Sequence, residues 1–286
     1  MTIIDFIHAL TEYDFLQKAL VTSVMVGIIC GVIGCFIILR GMSLMGDAIS
    51  HAVLPGVAIS YLLGINFFIG AVATGLLTAL GIGFVSQNSR IKNDTAIGIL
   101  FTSAFALGII LISFLRSSSD LYHILFGNVL AVRPSDMWMT LAIGLIVLGA
   151  IFLFYKELLV TSFDPTMAAA YGLSTRLIHY LLMTMLTLVT VASLQTVGII
   201  LVVAMLITPA ATAYLLTNRL SRMIFLSAGL GTIASVVGLY FSFTYNLSSG
   251  ASIVLVATAL FALVFIFSPR HGLLRKWKSP KKELTT

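Results

Sequence analysis

Apolar residues run along this chain in long blocks, not in the alternating or one-faced patterns of a water-facing fold. Predominantly apolar stretches cover 15–39, 66–86, 95–115, 135–155, 177–194, 196–217, 223–244 and 249–268, with a shorter one at 49–64. About 20 such residues carry a helix across a bilayer, where hydrocarbon leaves every backbone N–H and C=O to be satisfied within the helix itself. The pattern predicts nine membrane-spanning helices, or eight if 49–64 stops short of crossing. A further apolar piece at 121–132 is too short to cross and is expected to be re-entrant or interfacial.

Composition agrees with the pattern. Hydrophobic residues make up 59% of the chain and charged ones only 9%, with a mean hydropathy of +1.11. Soluble domains carry roughly 25% charged residues. The fold class expected is therefore an all-α polytopic membrane protein: a short segment at 1–14, a membrane domain over 15–268 and a basic tail over 269–286. No leftover stretch reaches the roughly 50 residues of a soluble domain. The first apolar run follows acids instead of a basic n-region, so it reads as a retained span and not as a signal peptide.

The charges give the orientation. With nine crossings and the N-terminus outside, the cytosolic side receives all but three of the 16 Lys and Arg, the exceptions being Lys18, Arg116 and Arg133. That satisfies the positive-inside rule. Eight crossings with the N-terminus inside score equally, because Lys18 then replaces Arg40. Nine is preferred, since Arg40 follows its span with no acid nearby while Lys18 is offset by Glu12 and Asp14. The tail "RHGLLRKWKSPKK" is cytosolic either way. It suits an anchor on anionic lipid, and nucleic-acid binding is not expected.

Several chemistries lack their motifs. There is no G-x-x-x-x-G-K-[ST], no H-E-x-x-H and no G-x-S-x-G, which removes a P-loop ATPase, a zinc-dependent intramembrane protease and a nucleophile-elbow hydrolase. "GLGTIASVVG" at 229–238 echoes a nucleotide fingerprint inside a span, without the strand and turn that such a site needs. "GIICGVIG" at 27–34 holds a G-x-x-x-G and predicts close helix packing. Cys30 and Cys35 point to different helix faces, which favours packing over a disulfide or a metal pair.

One constellation stands out. In "GDAISHAVLPG", Asp47 and His51 lie at i and i+4 on one helix face, with Ser43 and Ser50 on the same side. Ionisable groups in a span usually mark an ion or proton path, and carboxylate plus imidazole suits Mn²⁺, Zn²⁺ or Fe²⁺. Two ligands are not a complete shell, so waters or a symmetry-related pair must supply the rest. The alternative is that Asp47 caps its helix and His51 packs against a carbonyl. Imidazole coordinates only when neutral, so transport through such a ligand should weaken in acid. Elsewhere, Asp94 looks like an N-cap and His179 a structural histidine. Asp120 and His123 form either an outer metal waypoint or a solvated edge, and Pro209 is expected to kink or break its helix.

"GCFIILRGMSLMGDAISHAVLPGVAISYLLG" resembles the start of the permease subunit of bacterial ABC importers for manganese, zinc and iron. The likeness continues through "NDTAIGI", "DLYHILFGNVLAV", "LLVTSFDP" and "TVGIILVVAMLITPAATAYLL". The wording is most similar to the manganese importers of Gram-positive bacteria. The resemblance implies a type II importer fold and a homodimer in the plasma membrane, with Asp47 and His51 as ligands of transported manganese. Zinc or iron is the alternative cargo, and a stand-alone secondary metal transporter the alternative mechanism. It further implies two copies of a separate ATPase subunit, an extracellular metal-binding lipoprotein or periplasmic binding protein, and no permanently bound cofactor or enzymatic activity of this chain. "SFDPTMAAAYGLST" then reads as a coupling helix near 164–172. Asp164 is its cap, Pro165 its first residue, Gly172 its left-handed end, and Ala168 to Ala170 let the ATPase backbone approach.

Overall fold

A computed structural model describes residues 3–114 and 129–268. Its regular elements are helices: α1 (Ile3–Glu12), α2 (Asp14–Leu39), α3 (Met45–Ala52), α4 (Leu54–Leu63), α5 (Phe67–Asn88) and α6 (Asn93–Ser113). After a single 3₁₀ turn at Val129–Ala131 follow α7 (Pro134–Leu153), α8 (Tyr155–Phe163), α9 (Pro165–Ala170), α10 (Thr175–Val197), α11 (Ile199–Leu216), α12 (Leu220–Tyr245) and α13 (Ser249–Phe267). With α3 and α4 taken together, nine helical segments among the described residues are long and apolar enough to span a bilayer. The nine-span expectation therefore matches the structure.

Helix α2 forms the axis of the bundle and is largely buried against α7, α10, α11 and α12. Its contact with α12 is backbone-close. A methyl group on Gly27 would lie 2.9 Å from the Gly231 carbonyl oxygen. Ser227 and Ser235 then donate to the Gly31 and Ser23 carbonyls, both at 2.9 Å. The "GLGTIASVVG" stretch is thus a packing stripe, with Gly238 seated on Ile253 of α13. Small residues serve this purpose in membranes because lipid is as apolar as the helix surface, leaving close contact and hydrogen bonds to drive association. Cys30 and Cys35 are free thiols inside the same core.

A second group forms around α10, which packs on α5, while α4 packs on α5 and α6. The short α3 lies between the groups and touches α5, α6, α10 and α11. One end of the bundle collects the basic connections. Leu39, Phe163, Asn218 and Arg219 line one cavity there, and Arg40, Gln87 and Arg176 line another.

Some local expectations need correction. The 49–64 block begins at Met45 and is two helices, because Pro55 has no N–H to continue the ladder to the His51 carbonyl. Of the kink or break expected at Pro209, the break does not occur: α11 runs unbroken past it, as membrane helices tolerate. Asp94 sits inside the first turn of α6 behind Lys92 at the N-cap, complementing the helix dipole instead of capping. The 1–14 segment carries α1, whose Phe6 is buried edge-on to Tyr240 at 5.4 Å. Of the 121–132 piece, only its last residues are described, as the 3₁₀ turn.

Candidate functional site

The site starts with a turn. Helix α2 ends at Arg40, and Gly41 adopts φ +65°, where a side chain would be strained. Bonds from Gly41 N–H to the Ile38 carbonyl and from Met42 N–H to that of Ile37 close the helix end. This reversal sends the chain back into the bundle, so α3 lies between helices and not at their mouth. His51 packs 5.6 Å from Phe101 and 5.4 Å, edge-on, from Phe105 of α6. At 1.5 Å per residue those rings lie roughly 12–18 Å from the start of α6, near the middle of that helix.

Here Asp47 Oδ1 and His51 Nε2 face each other at 3.5 Å, one turn apart. The Asp47 side chain retains 43% of its exposure and that of His51 29%, so the pair has an open side. Asp47 makes no N-terminal cap, since α3 has no side-chain cap bond. Ser50, expected beside the pair, is fully buried and donates to the Gly46 carbonyl at 2.8 Å. Among the described residues no third carboxylate, imidazole or thiol completes a metal shell. Two hard-to-intermediate donors with an open side can hold a divalent ion weakly and release it, as passage requires.

The walls of the site were not legible in sequence. Phe101 and Phe105 read as ordinary span residues, yet they fix the imidazole plane. Leu206 of α11 reaches under Gly46, where a methyl group would come within 2.7 Å of its Cδ1, and it also packs at Gly34 of α2. The floor of α3 is therefore set by α11, a helix distant in sequence that is itself packed on α2.

At the basic end, Asp164 caps α9 and accepts from the N–H groups of Thr166 at 3.0 Å and Met167 at 2.9 Å. The Thr166 hydroxyl and these N–H bonds hold its carboxyl below the usual aspartate value. Pro165 is the first helical residue, and Gly172 (φ +81°) closes the helix with bonds from Gly172 and Leu173 N–H to the Ala169 and Ala168 carbonyls. The expected caps are all present. Ala168 departs from expectation: it is fully buried against its own chain and cannot meet a partner, because α9 turns that face inward. The outward face carries Met167, Ala169, Ala170 and Tyr171. His179 is half-buried over Gly83 of α5. Asp120 and His123 lie outside the described residues.

A family model described as the ABC 3 transport family matches residues 12–268. The chain belongs to that family. This member is 68% identical over 279 residues to the manganese transport system membrane protein MntC of Listeria innocua, covering 98% of this chain and 99% of that one. It is 56% identical to the manganese import system permease protein ScaB of Streptococcus gordonii, with 95% and 98% covered. Among solved structures, PsaBC from Streptococcus pneumoniae in complex with Fab superposes with a TM-score of 0.87 at 55% identity, covering 97% of this chain and 100% of that one. ABC 3 membership and nine candidate spans make the chain a multi-pass membrane component of a transport system.

Proposed function

We propose that this chain is the membrane-spanning subunit of an ATP-driven manganese importer, with Asp47 and His51 holding the ion in transit. The observation that carries the reading is the facing carboxylate–imidazole pair, held between helices level with the middle of α6 and open on one side. The manganese systems named for its relatives support the cargo. Zinc and iron fit the same donors and remain the alternative cargo.

The working assembly is a homodimer, in which the open side of each pair is completed by water or by the second copy. The chain has no P-loop, so ATP is hydrolysed on two separate ATPase subunits docked at the outward face of α9. An extracellular metal-binding protein delivers the ion. ATPase closure switches the permease between outward and inward access, a shift between two states that ATP binds unequally. A gradient-driven carrier would instead lose uptake with an ionophore and keep it without ATP. The setting is the bacterial plasma membrane.

The test is cellular metal content by mass spectrometry in a strain lacking its own importers, supplied with this chain, its ATPase and its binding protein. Asp47→Ala and His51→Ala at matched membrane abundance are expected to reduce manganese accumulation at least about tenfold, the scale seen when other metal sites lose even an outer partner. Asp47→Asn keeps shape and hydrogen bonding but removes charge, and should fail likewise. Undiminished accumulation in all three would reduce the pair to helix packing. The same spectra report zinc and iron.

A further inference from the structure

A cavity of about 430 Å³ opens at the basic end of the bundle, beside α9. Arg40 and Thr161 form its base and His179 one wall, while Gln87, Asn93 and Arg176 stand at its exposed rim. Arg40 is half-buried. Its Nε donates to Ser162 Oγ at 3.1 Å and its Nη2 to Thr161 Oγ1 at 2.7 Å, which are neutral acceptors. Burial lowers the guanidinium to about 10, so it stays charged at neutral pH. Among the described residues no carboxylate lies within ion-pair distance of it, the ion pairs there joining Lys18 to Asp14 and His51 to Asp47.

A half-buried guanidinium held by hydroxyls alone is an incomplete arrangement, because desolvating a charge costs more than neutral partners return. The cavity supplies more of the same sign. Arg176 adds a second cation, and the N-termini of α6 and α10 open into it through Asn93 and Thr175. Asp94, Asp164 and Glu157 (one turn before Thr161 on α8, with Oε2 buried) are not among the lining residues, and Asp164 is committed to its cap. The cavity is therefore electropositive, polar and open to water.

We propose that this cavity binds a phosphate-type oxyanion, carried by an anionic lipid headgroup or dissolved in the cytosol. The planar Arg40 fork presents N–H groups suited to two phosphate oxygens at once, with Arg176 closing over from the rim. The depth fits a headgroup, since the cavity lies where α2 and α5 end and α10 begins. The anion would join the ends of α2, α5, α6, α8 and α10 beside Pro165, the first residue of α9, and so steady the surface that α9 presents. The inference does not depend on the Asp47–His51 pair.

The test uses the purified full-length chain in detergent with two probes. Native mass spectrometry compares retention of phosphatidylglycerol with that of zwitterionic phosphatidylcholine, and calorimetry titrates inorganic phosphate. Phosphatidylglycerol should bind at least about tenfold tighter than phosphatidylcholine, or phosphate should bind alone, and Arg176→Gln should remove at least about tenfold of that affinity. The first pattern assigns the oxyanion to lipid and the second to solution. Arg40→Gln should do the same; if it fails to fold, the exposed Arg176 decides. Preference that survives substitution, or no binding of either probe, overturns the proposal. If neither probe binds while Arg176→Gln releases the ATPase, the cavity belongs to a carboxylate of that partner instead.

Discussion

At the scale of single residues, position decides what a polar group does. Ser50 is one residue from His51, yet its hydroxyl turns to the Gly46 carbonyl, while Asp47 and His51 face each other across one turn. Asp164 shows how a local motif can be complete in sequence: Asp, Pro and a Gly seven residues later specify cap, first turn and end, and the structure has all three. Its carboxyl is held below the ordinary aspartate value by bonds made only in the folded helix. Such a group stabilises α9 fully above the unfolded aspartate value and loses that contribution as pH falls through the lower folded value. Amide exchange should therefore show Thr166 and Met167 protected, relative to intrinsic rates, at neutral pH and down to about pH 4. Protection should fall only below that, and Asp164→Ala should remove it at every pH.

At the scale of elements, glycines serve two different ends. Gly34 lies against the Leu206 carbonyl oxygen, so a methyl there must push α11 away from α2. Gly41 has no heavy atom near its missing side chain and is needed only for its positive φ. Gly41→Ala should cost about 1–2 kcal/mol from the left-handed backbone alone. Gly34→Ala should cost more, about 1–3 kcal/mol or above from overpacking, and should displace Leu206 from beneath Gly46. Thermal unfolding of the purified chain should place Gly34→Ala below Gly41→Ala. Equal midpoints would show that α11 gives way without cost. The α3–α4 break belongs to this scale too. Pro55 signals it in sequence, but the apolar pattern alone drew one block over 49–64 and showed no break within it.

At the scale of the whole molecule, nine candidate spans place the connections alternately at two ends, and Arg40, Arg176 and Arg219 lie at one of them. Gly64 and Asn66 fall at the other end, between α4 and α5, if Met45–Leu63 crosses. A cysteine introduced at the exposed Leu44, before Met45–Leu63, should then be labelled by an impermeant thiol reagent only from the cytosolic side, and one at Asn66 only from outside. The native Cys30 and Cys35 are buried and should give little background. Labelling of both from one side would return the count to eight crossings. The outer helices α6, α7 and α13 bury little of their surface within the chain, as lipid-facing or subunit-facing helices do.

Sequence by itself determined the spans, the basic end, the caps of α9 and the Asp47–His51 face, because each follows from composition or from spacing within one turn of helix. It also carried the family resemblance, through long matching stretches such as 34–64 and 196–216. Only the tertiary structure decided the rest. The depth of Asp47 depends on the reversal after Gly41, the imidazole walls on Phe101 and Phe105, the floor on Leu206, and the inward face of Ala168 on how α9 lies against its own chain. Arg40 read simply as a positive-inside charge until α8 brought Thr161 and Ser162 to it. These features join residues far apart in the chain, and in a bundle where nearly every surface is apolar, hydropathy cannot say which helices meet.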